Sequence, residues 1–291
     1  MFPSALDYRA PTSLDEALDL LTQHGDDAKV LAGGQSLVPL LKLRLAAPGL
    51  VVDIGRIGGL DGVGTQPGGL HIGARTTHAD IERAPGLRRT CALLADTAPL
   101  VSDPLVRNMG TVGGSVCHAD PAGDWASVML ALNAQFTLRS KRGERTVAAA
   151  DFFQGPFTTA LAPDELMTAI RIPLPSGPAS GTYLKLERKV GDFATVGVAV
   201  QLELDDGHIA RAGIGLTAVG ATNLQATAAE QALAGQAPSD DAFAHAARLA
   251  AEAAEPKDDI RGSVDYKRDV VRVYVQRGLR RALAQAREGR A

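Results

Sequence analysis

The chain has 291 residues, 45% of them hydrophobic and 22% charged, which is the ordinary balance of a globular protein. Its 30 Lys and Arg residues and 33 Asp and Glu residues give a formal net charge of -3 without a basic stripe, which excludes a nucleic-acid-binding surface. No secretory signal opens the sequence, and no apolar run approaches the ~20 residues of a membrane helix. We therefore expect a cytoplasmic protein, and attachment to the inner face of the membrane through partners stays open.

The N-terminal part of the chain predicts an α/β unit with the element order β-α-β-α-β. Ser13 and Glu16 are spaced as a capping box, which starts a helix after a first extended stretch. A short buried strand is predicted at 29–32, a helix at 37–45 and a further strand at 50–54. Two glycines follow the strand at 29–32 directly.

The middle part mixes strands and helices around one irregular segment. Strands are predicted at 70–74, 135–139 and 167–172. A helix starts near Thr77, and another starts at Asp124, which is well placed to cap it. Residues 107–123 show no clean period and are dense in Gly, Asn, Asp and Pro. We predict that they form a long binding loop, because such loops are uncommon unless they bind something.

The C-terminal part predicts an α+β unit of three strands and three helices. The strands are predicted at 182–186, 195–204 and 209–216, and the helices at 222–233, 240–253 and 266–286. Apolar residues alternate strictly in the middle strand, which predicts a sheet with one solvated face. A Pro-, Ser- and Gly-rich linker precedes this unit. The chain therefore divides into units at 1–55, 56–175 and 176–291.

Two glycine turns are candidates for binding a phosphate group. The first is Ala32-Gly33-Gly34-Gln35-Ser36, and the second is Gly110-Thr111-Val112-Gly113-Gly114-Ser115. Paired glycines let a ligand approach the backbone, and successive N–H groups can then converge on an anion. Neither turn contains Lys or Arg or matches a Rossmann or P-loop pattern. This favours a dinucleotide diphosphate bound by uncharged backbone amides. Each turn taken alone is also compatible with an ordinary tight turn.

Cys91 and Cys117 are the only cysteines of the chain. An iron–sulfur or zinc site normally needs about four closely spaced ligands, so this chain cannot hold an ordinary four-cysteine cluster alone. We expect two reduced and partly buried thiols. His118 and Asp120 are likewise too few to hold a metal, and no metal site is predicted.

The sequence resembles the FAD-binding medium subunits of the molybdenum hydroxylases, the family of xanthine dehydrogenase and aerobic carbon monoxide dehydrogenase. Ala32-Gly33-Gly34-Gln35-Ser36-Leu37 resembles the first FAD signature of that family. The run from Arg107 to Ser115, continued by His118-Ala119-Asp120-Pro121-Ala122-Gly123-Asp124, resembles the second. The segment from Ile260 to Tyr266 looks like a C-terminal element of the family. The resemblance covers nearly the whole chain.

The resemblance implies a fold and a set of cofactor contacts. The fold is α+β: a two-lobed FAD-binding fold of the vanillyl-alcohol oxidase/p-cresol methylhydroxylase type, followed by a C-terminal α+β domain. The implied FAD contacts are Ala32, Gly33, Gly34, Gln35, Ser36, Leu37, Thr111, Val112, Gly113, Gly114, Ser115, His118, Asp124, Leu161, Lys185 and Phe193. Leu161 and Lys185 match positions near the isoalloxazine and adenine ends, and Phe193 matches an aromatic position over the flavin.

Some of these residues also allow simpler interpretations. Asp124 is equally compatible with a plain helix cap, Lys185 with a solvated strand lysine, and Phe193 with a core residue. Gln35 departs from close aerobic carbon monoxide dehydrogenase relatives, which tend to have His there. The substrate of the complex therefore stays open between carbon monoxide, an N-heterocycle and an aldehyde.

The resemblance implies an electron-transfer subunit without catalytic side chains of its own. Electrons would reach its FAD from 2Fe-2S clusters in a small partner subunit, after substrate oxidation at a molybdopterin cofactor in a large one. A dimer of heterotrimers is implied, with a quinone or cytochrome favoured over NAD as acceptor. The alternatives are a self-sufficient FAD-dependent oxidoreductase and, from another class, a scaffold subunit with an empty flavin site. An NAD-dependent dehydrogenase is disfavoured because no Rossmann fingerprint is present.

Overall fold

The computed structural model describes residues 2–288, and its N-terminal part is a three-stranded parallel sheet with the strand order β1-β3-β2. Its elements are β1 (Asp7–Arg9), α1 (Leu14–His24), β2 (Ala28–Leu31), α2 (Leu37–Leu43) and β3 (Leu50–Asp53). The predicted β-α-β-α-β order is confirmed. Ser13 caps α1, since its Oγ accepts from the amide of Glu16 at 3.2 Å. The Glu16 carboxylate reaches back to the amide of Thr12, one residue earlier than a standard capping box requires.

The middle part is built on a five-stranded antiparallel sheet with the order β4-β5-β10-β6-β7. Its strands are β4 (Val63–Gln66), β5 (Gly69–Gly73), β6 (Gln135–Ser140), β7 (Gly143–Ala148) and β10 (Leu166–Ile172), and β8 (Phe153–Gly155) and β9 (Thr158–Thr159) form a small hairpin. Its helices are α3 (His78–Arg83), α4 (Leu87–Thr90), α5 (Ala92–Thr97), α6 (Pro104–Arg107), α7 (Val112–His118), α8 (Asp124–Ala131) and α9 (Ala149–Phe152). The buried side chains of Trp125, Phe136 and Phe152 form part of its core.

The prediction of an irregular loop over 107–123 is wrong, because helix α7 occupies part of it. The Thr111 hydroxyl caps this helix by accepting from the amide of Gly114 at 3.1 Å. Val112 and Val116, one helical turn apart, are both buried. The helix was not predicted because two of its seven residues are glycine, which has a low helix propensity.

The C-terminal part is an antiparallel sheet with the order β11-β12-β13-β14 and three helices. Its elements are β11 (Ala179–Leu186), β12 (Val196–Asp205), β13 (His208–Thr217), β14 (Leu224–Gln225), α10 (Thr227–Leu233), α11 (Asp240–Ala253) and α12 (Val264–Glu288). The fourth strand, β14, was not predicted because it is only two residues long. Across residues 2–288, no helix combines the length and apolar content needed to cross a membrane.

The expectation that one face of β12 is solvated is wrong, because both faces of the sheet are covered. On one face, Val196, Val198 and Val200 belong to the apolar cluster shared with α11 and α12. On the other, glycines of β13 lie against α8: a Cβ at Gly213 or Gly215 would overlap a carbonyl oxygen of that helix. Helix α8 therefore packs directly on the C-terminal sheet, and the division of the chain at residues 55 and 175 stays a prediction.

Candidate functional site

The two glycine turns, separated by more than 70 residues in sequence, contact each other in the structure. A Cβ on Gly33 would overlap the carbonyl oxygen of Met109 and would lie 2.8 Å from the Cα of Gly110. A Cβ on Gly114 would lie 4.0 Å from the Cβ of Ala32. The absence of side chains on both sides is what permits this approach. The structure thus brings together the two sequence motifs that were predicted to act jointly.

The first turn, between β2 and α2, presents amides without protein partners. Residues 33–36 belong to no strand or helix. Within residues 2–288, none of their amides donates a hydrogen bond to another residue. Gly34 has a φ of +74°, a conformation that favours glycine. Successive unpaired N–H groups in such a turn form a concave anion-binding surface. This turn therefore has the donors that a diphosphate requires.

The second turn differs, because its amides already have acceptors within the chain. The amide of Val112 donates to Thr76 O and that of Gly113 to Ala74 O, both at 3.0 Å. The amide of Gly114 donates to the Thr111 hydroxyl, and Val112 and Gly113 are buried. Only Gly114, which is exposed, and Ser115, which is half-buried, present a surface that a ligand could reach.

A groove of about 680 Å³ runs beside the first turn, within the size range of small-molecule sites. It is lined by Leu31, Ala32, Gly33, Gly34, Gln35, Val38, Pro39, Lys42, Leu43, Asp53 and Met109. Most of this lining is apolar, Lys42 supplies a positive charge and Asp53 a negative one. Lys42 was not predicted as a site residue, because it lies on helix α2 and not in the glycine turn. Lys42 follows Val38 by one helical turn, so the predicted helix did contain the signal.

Asp124 and Lys185 form a buried ion pair with an Nζ–Oδ2 distance of 3.0 Å. Lys185 also donates to the carbonyl oxygen of Leu100 at 3.0 Å, and Tyr183 donates its hydroxyl to the other Asp124 oxygen at 2.8 Å. Burial raises the pKa of the Asp124 carboxyl group, and the neighbouring Lys185 ammonium acts in the opposite direction. The Lys185 side chain is only 2% exposed, so the interpretation as a solvated lysine is wrong.

The interpretation of Asp124 as a helix cap is also wrong. Helix α8 begins at Asp124 as predicted, but Gly123 holds the N-cap position and no side chain caps the helix. The Asp124 carboxylate points instead to Tyr183 and Lys185 on strand β11. This ion pair joins residues 61 positions apart in sequence.

A short segment, Leu100 to Asp103, connects the ion pair to the second glycine turn. Leu100 O accepts from Lys185, and the carbonyl oxygens of Val101 and Ser102 accept from Arg107, which ends the helix before the turn. A Cβ on Gly191 would lie 3.2 Å from the backbone of Ser102. The turn, the ion pair and the loop before Phe193 therefore share one scaffold.

The remaining predicted contacts are more dispersed. The ring of His118 lies 5.1 Å from that of Phe157, and burial lowers the pKa of this histidine. Leu161 is half-buried against the core of the middle part. Phe193 is 55% exposed, so it is not a core residue, and its carbonyl oxygen accepts from Arg261 of the C-terminal element.

No group of three or more His, Cys, Asp or Glu side chains within residues 2–288 is arranged to hold a metal ion. Cys91 is buried, Cys117 is half-buried, and both thiols are free. Burial raises the pKa of Cys91 to about 11 and that of Cys117 to about 12, which keeps both protonated and poor as metal ligands.

Comparisons with known proteins cover nearly the whole chain. A family model described as the FAD binding domain in molybdopterin dehydrogenase matches residues 4–175, and one described as the CO dehydrogenase flavoprotein C-terminal domain matches residues 181–282. The chain is 40% identical over 287 residues to the carbon monoxide dehydrogenase medium chain of Afipia carboxidovorans, covering 99% of this chain and 100% of that one.

Solved structures agree with these sequence matches. A chain of the carbon monoxide dehydrogenase from Hydrogenophaga pseudoflava has a TM-score of 0.94 at 42% identity, covering 98% of this chain and 99% of that one. A chain of quinoline 2-oxidoreductase from Pseudomonas putida 86 has a TM-score of 0.90 at 35% identity, covering 98% and 99%.

Proposed function

Because the chain belongs to the family defined by the FAD-binding domain of molybdopterin dehydrogenases and the CO dehydrogenase flavoprotein C-terminal domain, we propose that it is the FAD-carrying electron-transfer subunit of a molybdenum hydroxylase complex. The observation that carries this proposal is the contact between two glycine turns, one of which presents amides without partners. The groove beside that turn has room for a nucleotide.

The diphosphate of FAD would lie against the amides of residues 33–36. Neutral amides in a glycine turn can bind an anion without a lysine in the turn itself, and Lys42 adds a positive charge at the groove. Gly114 and Ser115 would face the same group from the second turn, since Gly114 lies next to Ala32. A Cβ on Gly33 would overlap Met109 O and one on Gly114 would crowd the Thr111 hydroxyl, so the two turns can approach this closely only with glycine at both positions. The residues present therefore fit the cofactor.

The flavin end would lie toward His118, Asp124, Leu161 and Phe193. Lys185, whose sequence position matches the adenine end, would lie there too, because it is paired with Asp124. In support, the segment from Leu100 to Asp103 links the second turn to Lys185 and to the loop that carries Phe193. Asp124 and Lys185 neutralise each other, so this pair would form a fixed polar wall rather than a mobile charge. Phe193 is exposed and would cover one side of the ring system.

When bound, FAD supplies the ability to take up electrons singly and to release them as a pair. The chain's own residues bind the cofactor, orient it and exclude water from part of its surface. The two cysteines, distant in sequence and largely buried, fit a division of labour in which partner subunits hold the iron–sulfur clusters and the molybdopterin cofactor.

Three finer parts of the proposal concern assembly, location and electron acceptor. We propose a dimer of heterotrimers with a small iron–sulfur and a large molybdopterin subunit, in the cytoplasm or at the inner face of the membrane, and a quinone or cytochrome as acceptor. Light scattering of the purified complex gives its mass, and turnover with each acceptor class decides between them. Adjacent reading frames that encode such partners would support the assembly.

The proposal is tested by FAD binding to the purified chain and to Gly114→Val. A Cβ at this position would lie 2.6 Å from the Thr111 hydroxyl, so valine disrupts the cap and enters the space between the turns. We expect the chain to hold one FAD and the variant to lose it while keeping its helix content by circular dichroism.

The matched control is Gly64→Val, on strand β4, where an added Cβ would meet nothing within 4 Å. This variant should bind FAD like the original chain. A yellow Gly114→Val protein would refute the role of the second turn. A chain that binds no FAD, alone or with its partners, would favour the scaffold alternative.

A further inference from the structure

A buried histidine, His78, lies directly behind the second glycine turn. It is 4% exposed, and its amide donates to the carbonyl oxygen of Gly110 at 3.0 Å. A Cβ at Gly110 would lie 2.8 Å from Nε2 and 3.0 Å from Cδ2 of the imidazole. The edge of the ring therefore packs on the Gly110 backbone, and the position of the ring limits where the turn can lie.

The other side of the ring is held by Trp125, which is fully buried at the start of α8. Its indole Nε1 donates to His78 Nδ1 at 3.0 Å, and the planes of the two rings differ by 25° with centroids 5.8 Å apart. Because Nδ1 accepts this hydrogen bond, the neutral imidazole carries its proton on Nε2, toward Gly110. Burial lowers the pKa of His78 to about 4, which keeps the ring neutral at ordinary pH.

The chain around His78 runs along the second turn. The carbonyl oxygens of Ala74 and Thr76 accept from Gly113 and Val112, and Thr77 forms a β-bridge with Thr111. Among residues 74–78, His78 is the one whose side chain is hydrogen-bonded to helix α8. It thus joins the second turn to the helix that begins at Asp124.

We propose that His78 is a positioning residue of the flavin site, which sets the second glycine turn against the first through Gly110 and is itself oriented by Trp125. This inference rests on the proposed function. Gly33 of the first turn packs on Met109 O and Gly110 Cα, so a shift of Gly110 changes the contact that places the free amides. His78 need not touch the cofactor to affect its binding.

Two variants test whether His78 acts through its hydrogen bond to Trp125 or only by filling space. His78→Phe keeps a ring but leaves the Trp125 N–H without an acceptor in the core, whereas His78→Asn places an amide oxygen near the position of Nδ1. We expect Phe, whose ring Trp125 no longer orients, to raise the Kd for FAD about tenfold. Asn keeps the acceptor for Trp125 but not the ring edge against Gly110, so it should raise the Kd less.

A spectroscopic measurement accompanies the titration. Trp125 is the only tryptophan of the chain, so tryptophan fluorescence reports on the surroundings of this indole, which include the hydrogen bond to His78. We expect a shifted emission in His78→Phe and an emission close to the original in His78→Asn. Phe243→Leu, in the apolar cluster of the C-terminal part, controls for a general loss of stability and should leave both readouts unchanged.

The outcomes distinguish this inference from the proposed function. If the original chain binds FAD and His78→Phe binds it as tightly, the positioning role is refuted and the proposed function stands. Equal losses of affinity in the Phe and Asn variants would also refute it, because the acceptor would then not matter. If the original chain binds no FAD, alone or with its partners, both proposals fail.

Discussion

The first glycine turn and the Asp124–Lys185 pair were both predicted to contact the same cofactor, yet their hydrogen bonding differs. In the first turn, the amides of residues 33–36 have no partners among residues 2–288 outside regular elements. Around Asp124, both carboxylate oxygens and the Lys185 ammonium have partners within the protein, and the second turn is similarly satisfied. Unused hydrogen-bonding capacity therefore marks where a ligand would bind, and satisfied groups mark the scaffold that holds it.

The largest effect is expected from Lys185→Met, which tests the scaffold side of this contrast. It leaves the Asp124 carboxylate buried without its cation, and breaking a buried ion pair in this way costs about 3–5 kcal/mol. We expect a corresponding fall in the free energy of unfolding, measured by urea denaturation.

Asp124→Asn combined with Lys185→Met should recover part of that loss, because the buried Asp124 charge is gone and Tyr183 can still donate to the amide oxygen. The recovery is partial because the Glu187 carboxylate, 3.5 Å from the Lys185 ammonium, also loses its cation. If Lys185→Met is instead as stable as the original chain but loses FAD, the pair is not scaffold, and Lys185 acts as a direct cofactor contact.

A smaller effect is expected from pH, through His78 behind the second turn. Burial lowers its pKa to about 4 in the folded chain, against 6.5 for an exposed histidine, so the unfolded chain takes up the proton first. Protonation of His78 therefore has no effect on stability above about pH 6.5. Below that pH the free energy of unfolding decreases as the pH drops toward 4, by about 3 kcal/mol in total.

The measurement compares urea unfolding of the original chain and His78→Asn between about pH 7.5 and pH 4, a range that spans both pKa values. The asparagine variant lacks this histidine, so its stability should fall less steeply over that range. Parallel pH profiles would show that His78 is not kept neutral in the folded protein.

The smallest effect is expected from Thr111→Val, which removes the cap of α7. Loss of a cap of this kind costs about 1 kcal/mol of stability. If the second turn is mainly scaffold, the Kd for FAD should change by less than about threefold, since its amides are not the main donors. A loss of affinity much larger than the loss of stability would show that the Thr111 hydroxyl binds the cofactor directly.

Much of the fold could be predicted because local signals fixed its elements. Ser13 and Thr77 mark helix starts, and the structure shows both as caps. The last two helices lie close to their predicted bounds. Helix α7 and strand β14 were missed because one contains two glycines and the other has only two residues. In both cases tertiary contacts decide the conformation.

The site was predictable only in part. The glycine turns carry their chemistry in their own sequence, so they could be identified without a structure. The pairing of Asp124 with Lys185, and of His78 with Trp125, depends on which helices and strands meet in space. No local pattern reports such contacts, which explains why Lys185 was compatible with a surface position and why His78 went unnoticed as part of the site.

The glycines of β13 have a consequence for how the molecule moves. Gly213 and Gly215 let the backbone of β13 meet the backbone of helix α8, and Arg211 donates to the carbonyl oxygen of Ala131 at the same contact. Such a contact cannot slide without steric overlap. Asp124 and Trp125, at the start of that helix, are consequently held against the C-terminal sheet, so we expect a movement that admits the cofactor to involve the N-terminal sheet instead.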